Sequence, residues 1–208
     1  MPAILLCFLG TILAVGVHGA GPSSSDNIKF SSNFLKKDEN AKHLLDLMKG
    51  HFSNSLDYLI SGKYYDSQDV EFPGMAKLLV EESDRQWEEG MSVLKKYLHL
   101  GGTTDGSNFI DSMNFIGTFQ QNNAVDVNYK DSLKTVMTKS HHLTREITKL
   151  HVKANQNPSN NGDTAVLHFL QEKAEKEIEV ARKMAGLYVM VKDMFSDGIA
   201  LGIFDQSL

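Results

Sequence analysis

Apolar residues recur at steps of three and four through most of the chain. Ala41, Leu44, Leu45, Met48, Phe52, Leu56 and Leu59 trace one face of a long helix. It closes near Tyr64-Tyr65, before the polar turn Asp66-Ser67-Gln68-Asp69. A second run opens at Pro73, where a missing N–H costs nothing in the first turn, and ends at Gly101-Gly102, a C-cap signal. A third run holds Leu133, Val136, Met137, Leu143, Ile147 and Leu150. A fourth holds Val166, Phe169, Leu170, Ala174, Ala181, Met184, Leu187 and Val191. No helical run alternates with period two, so β-structure has no support.

The connections are unequal. The first pair and the last pair of runs are joined tightly, whereas residues 103–130 form a long stretch rich in Gly, Asn, Thr and Ser. Helices of about 28 residues are ~42 Å long, and a connection along that length needs at least ~12 residues. The stretch is long enough to cross the bundle. The pattern predicts an all-α four-helix bundle with one long crossover loop, followed by a short fifth helix from the apolar tail Ile199 to Phe204.

Before the first run the chain changes character twice. Ala3 to Val17 is uncharged and apolar, too short to span a bilayer as a helix, and small residues follow at once. This reads as a secretory signal peptide, residues 1–19, cut after Gly19 or Ala20. Residues 20–37 are Ser-rich and polar and read as an N-terminal arm, leaving 38–208 as the folded domain. The single cysteine, Cys7, falls inside the signal, so disulfides and cysteine-based metal or catalytic sites are excluded from the secreted product. No Asn-x-Ser/Thr sequon occurs. Composition is ordinary for a globular chain of 208 residues, and the net charge of −5 argues against a general nucleic-acid binder. No second stretch of membrane length exists, so no membrane partner is expected.

The inward line of the second helix runs Met75, Leu79, Glu82, Gln86, Glu89, Val93, Tyr97: apolar or aromatic at both ends, polar in the middle. Glu177 sits between Ala174 and Ala181 on the fourth helix, and Thr144 between Met137 and Ile147 on the third. His51 and Tyr58 lie two turns apart on one face of the first. A polar band across a bundle is costly unless paired or wetted, and its usual justification is a metal site.

These residues carry a resemblance. Residues 56–102, from the Tyr-bearing end of the first helix through the terminal Gly-Gly, resemble the first two helices of ferritin subunits without a gap. Residues 132–195, around SHHLTREI and EIEVARKMAGL, resemble the third and fourth, and GIALGIFDQSL resembles the short fifth helix that lines the fourfold axes of the shell. The chain is similar in particular to the secreted light-chain-type ferritins of insects. The resemblance implies iron storage as ferric mineral, in a shell of twenty-four subunits shared with a ferroxidase-competent heavy-type subunit.

Iron-oxidising ferritin subunits hold a di-iron centre with Glu and Tyr from the first helix, Glu, Glu and His from the second, and Glu and Gln from the third and fourth. By resemblance the matching positions here are His51, Tyr58, Arg85, Gln86, Glu89, Thr144 and Glu177, with Ile178 as the alternative in the last place. Only the tyrosine is retained. Two hard cations need several carboxylates, so the expectation is a vestigial centre without ferroxidase activity. Light-type subunits also carry cavity-facing acidic residues on the second helix. The matching set is Glu81, Asp84 and Glu88, with Arg85 interrupting the patch and partly offsetting its charge. Their i, i+3, i+7 spacing puts three hard oxygen donors on one stripe, suited to binding Fe(III) and seeding mineral, or else a plain solvated face.

Other features carry less. His141 and His142 point about 100° apart on a helix, so one is expected to pack or cap and the other to face solvent. His168 and Gln171 fall where ferritin shells place acidic residues around a threefold channel, and neither is acidic. Trp87 lies off the inward line and reads as an interface or surface anchor. Two rival functions remain: a ferroxidase working through an altered site of His51, Tyr58, Glu89 and Glu177, and a secreted helical bundle that carries lipid. Neutral Gln86 and Thr144 oppose the first. The polar interior and single long crossover oppose the second.

Overall fold

The computed structural model describes residues 34–35, 38–104, 106–114, 128–156, 164–194 and 198–208. Among them are six helices and no strand: α1 (Asp38–Tyr65), α2 (Pro73–His99), α3 (Ser107–Met113), α4 (Tyr129–Asn155), α5 (Thr164–Val191) and α6 (Gly198–Gln206). The four long helices pack as two pairs, α1 along α2 and α4 along α5, and α1 also meets α4. This is the predicted four-helix bundle with its long crossover and short fifth helix.

Local chemistry sets the ends. Pro73 is the first residue of α2. At its other end Gly101 takes the left-handed conformation (φ 89°), which only glycine adopts cheaply. Gly101 N–H then donates to Leu98 O and Gly102 N–H to Tyr97 O, both at 3.0 Å, closing a Schellman motif. Asn128 Oδ1 accepts from Lys130 N–H at 3.1 Å and caps α4.

One element was not legible in the sequence. The crossover, expected as loop, contains α3, whose Phe109 stacks on Tyr97 with centroids 6.2 Å apart. Seven residues make only two turns, too few for a period to register. The rest of the crossover and the signal expected at residues 1–19 lie outside the described residues. Of the arm, Phe34 and Leu35 are described, and both are buried against the bundle core. Asn40 Nδ2 donates to Phe34 O at 2.9 Å and fixes that entry.

The apolar interior is divided in two. One cluster gathers Leu44, Met48, Phe52, Val93, Leu143, Ile147 and Leu170. The other gathers Tyr65, Met75, Leu79, Leu133, Val136, Met184 and Val191. Each fully buried side chain of this size contributes roughly 1.5–3 kcal/mol, so both ends of the bundle can sustain a polar layer between them.

Two minor expectations are corrected. His141 and His142 are both exposed, because Ser140, Leu143 and Ile147 take the inward positions of that stretch. Trp87 is half-buried and tilts against the Phe52 ring, centroids 4.7 Å apart, so it packs on its own core.

Candidate functional site: a charged belt across the bundle

Between the two apolar clusters lies a belt of polar side chains. Glu177 on α5 is 1% exposed. Arg85 on α2 reaches it with Nη1 at 2.8 Å from Oε1 and turns its Nε to Glu82 Oε2 at 2.7 Å. One guanidinium therefore bridges two buried carboxylates from two helices. Gln86 Nε2 donates to Glu177 Oε1 at 3.1 Å, and its Oε1 accepts from His51 Nδ1 at 2.6 Å. That bond places a proton on His51 Nδ1, and the ring's Nε2 has no hydrogen-bond partner among the described residues. One helical turn along, Glu89 is held by Lys173, a lysine only 4% exposed, and by Lys176 Nζ at 3.1 Å. Lys183 approaches Glu82 from the rim at 3.9 Å.

The local electrostatics follow from this pairing. Burial pulls the Arg85 guanidinium toward deprotonation, but its bonds to Glu177 and Glu82 outweigh that and raise its pKa. Burial lowers the His51 pKa, against the pull of the Glu177 carboxylate and the Gln86 bond. Burial also raises the Glu89 pKa, but Lys173 and then Lys176 more than reverse it, and the net shift is downward. The Tyr58 hydroxyl is pushed well up by burial, reinforced by Glu177, and has no hydrogen-bond partner among the described residues.

Six of the seven positions singled out by resemblance are brought together or buried beside one another: His51, Tyr58, Arg85, Gln86, Glu89 and Glu177. Glu177, rather than Ile178, takes the inward place. The seventh, Thr144, is half-buried, and its hydroxyl donates back to Ser140 O of its own helix at 2.9 Å instead of entering the belt. Two members were missed. Glu82 lies on the inward line with no ferritin ligand to match, and Lys173 reads in the sequence as a surface lysine. Lys173 lies four residues before Glu177, one turn away on the same helix face, and that spacing was the available signal.

This donor set does not fit a pair of iron ions. The three belt carboxylates already neutralise Arg85, Lys173 and Lys176, and the remaining members, His51, Gln86 and Tyr58, bring no negative charge to offset a metal's. Two further metal cations would meet the cationic side chains of Arg85, Lys173 and Lys176 at the same level of the bundle. Among the described residues no three His, Cys, Asp or Glu side chains converge in a metal-holding arrangement.

Glu81, Asp84 and Glu88 sit on the opposite side of α2, all exposed and none in an ion pair among the described residues. Arg85 does not interrupt this stripe as expected: its head group is turned inward to Glu82 and Glu177. His168 and Gln171 are exposed near the start of α5.

A ferritin-like bundle with a charge-filled centre is what these elements build. The sequence profile of the ferritin family, a ferritin-like domain, matches residues 41–193, and the chain belongs to that family. A ferritin light chain of Trichoplusia ni is 24% identical over 175 residues, covering 81% of this chain and 74% of that protein. A ferritin light chain of Drosophila melanogaster is 23% identical over 163 residues, covering 78% of this chain and 71% of that one. Among solved structures, the secreted ferritin of Trichoplusia ni is similar with a TM-score of 0.73 at 21% identity, covering 97% of this chain and 96% of that chain. At that identity the likeness is one of fold.

Proposed function

We propose that this chain is a light-type subunit of a secreted ferritin shell, contributing to iron storage without oxidising iron itself. The observation that carries the reading is the Arg85 guanidinium bound by Glu82 and Glu177, at the level where an oxidising subunit needs free carboxylates. Iron is the cargo. Glu81, Asp84 and Glu88 are the groups that bind ferric ions and seed the mineral, and Fe(II) oxidation falls to a heavy-type subunit in the same shell of twenty-four. The insect light chains it is similar to support the type, and the secreted relative supports the compartment. No helix among the described residues is long and apolar enough to cross a membrane.

The test is Fe(II) oxidation by oxygen with the purified chain alone. The expected rate equals the uncatalysed one. Saturable oxidation with about two irons per subunit, the stoichiometry of a di-metal site, refutes the reading.

A further inference from the structure

The start of α2 has no cap of its own: Phe72 stands at the N-cap and offers no side-chain acceptor. The acceptor comes from the far end of the chain. Asp205 on α6, 2% exposed, takes Gly74 N–H on Oδ2 and Met75 N–H on Oδ1, both at 2.8 Å. Tyr129 Oη, at the start of α4, donates to the same Oδ1 at 3.1 Å. A carboxylate on the first free N–H groups of a helix is a strong cap, favoured further by the helix dipole.

The joint is built for this contact. A Cβ at Gly74 would overlap the Asp205 carbonyl oxygen, so only glycine lets the α6 backbone approach that closely. Lys77 Nζ adds a bond to Leu208 O at 3.3 Å. Within a single chain, apolar docking is thin by comparison. Leu201 is the one buried hydrophobic residue of α6, Phe204 and Leu208 pack partly, and Ile199 and Ile203 are 77% and 66% exposed. Nine residues are too few for a helix to persist undocked in water, where isolated helices below ~12–15 residues are marginal. A groove open to solvent runs between the α1–α2 turn and α6, lined by Tyr65, Phe72, Gly202 and Asp205 among others.

We propose that α6 is a latch: the Asp205 carboxylate on the start of α2 folds and orients the tail helix, and losing that contact releases α6 as a unit from an intact bundle. The coupling is reciprocal, because the same event uncaps the first turn of α2. It acts at one end of the bundle and does not involve the charged belt.

Amide hydrogen exchange on the full chain tests it, comparing the unmodified protein with Asp205→Ala, the milder Asp205→Asn, and Gly74→Ala, which keeps the carboxylate but blocks the approach. In Asp205→Ala and Gly74→Ala, exchange across residues 198–206 and at 74–75 should quicken together by roughly tenfold or more, the scale of a lost cap. Asp205→Asn should fall between, and the middle of α2 and α4 should stay protected. Faster exchange confined to 74–75 would overturn the proposal, as would an unchanged α6. Loosening of the whole bundle, or failure of the variants to fold, would overturn it equally, since the latch is local.

Discussion

Arg85 Nη1 lies 2.8 Å from Glu177 Oε1, a residue ninety-two positions further along the chain. The contact ties α2 to α5 across the middle of the bundle, and a third partner, Glu82, holds the other edge of the same guanidinium. The charge a metal would bring to this level is supplied by a side chain. It is permanent, because arginine stays protonated throughout the physiological range.

Removing that cation should therefore be severe. Arg85→Ala strands the carboxylates of Glu82 and Glu177 inside the protein, and breaking one side of a buried pair costs roughly 3–5 kcal/mol. Adding Glu177→Leu to Arg85→Ala should recover part of the loss, because one of the unpaired charges goes with it. Urea denaturation of the three proteins measures both effects. A loss below about 1 kcal/mol in Arg85→Ala, the size of an exposed pair, shows that the belt is wet and the pairing weak.

Acid should weaken the fold in two stages. His51 is buried neutral, so its folded pKa lies below the unfolded value of about 6.5. The unfolded chain then takes up the proton first. Stability is complete above about pH 6.5 and falls as the pH drops from there toward the folded pKa, by at most ~1.4 kcal/mol per pH unit. Glu89, held down by its lysines against burial, follows at lower pH: its contribution is complete above about 4.3 and disappears as the pH falls through its folded value. His51→Gln should flatten the first stage only. If unmodified protein and variant lose stability in parallel between about pH 6.5 and 5, the ring does not titrate as a buried group.

How much of this was legible in the sequence depends on period. Long amphipathic helices declare themselves over seven or eight turns, so α1, α2, α4 and α5 were readable nearly to their ends, with Pro73 and Gly101-Gly102 marking both ends of α2. The two turns of α3 were not. The belt was half legible: stepping along the helix faces found Glu82, Gln86, Glu89 and Glu177, and His51 and Tyr58 two turns apart, as polar positions of the interior. Resemblance added Arg85. Pairing was hidden, because the direction of an arginine head is set by which carboxylates lie across the bundle. Arg85 falls between the exposed stripe and the inward line on the helical wheel, and only packing decides its side. Lys173 was missed for a related reason: a lysine reads as surface until the carboxylate that buries it, here Glu89 on another helix, is located.

Restoring ferritin-type ligands piecemeal should fail. The triple change Gln86→Glu, Glu89→His and Thr144→Glu supplies two carboxylates and an imidazole but leaves Arg85 in place. It also takes from Lys173 the partner that neutralises it. The variant should show no Fe(II) oxidation above background, and lower stability than the unmodified chain. Stopped-flow oxidation with a parallel urea curve reads both. Oxidation gained by the triple variant while Arg85 remains would mean that the guanidinium can swing clear of the site.

The acidic stripe offers the most direct test of mineral seeding. Glu81, Asp84 and Glu88 stand one turn apart in succession, with neighbouring Cβ atoms ~5–6 Å from each other, and no cation pairs with them among the described residues. Because Arg85 is turned inward, the mutual repulsion of the three carboxylates is relieved only by solvent or by a bound cation, and a trivalent ion relieves it most. Exposed helix positions typically shift stability by less than ~0.5 kcal/mol each, so Glu81→Ala, Asp84→Ala and Glu88→Ala together should leave the fold and assembly intact. In shells formed with an oxidising subunit, the triple variant should slow mineral growth, followed by absorbance after repeated iron additions, while the initial rate of Fe(II) oxidation stays unchanged. Arg85→Ala should leave seeding at the unmodified rate in any shell that still assembles, since its charge serves the interior. Mineral growth at the full rate in the triple variant would reduce the stripe to a solvated face and this chain's part in the shell to architecture.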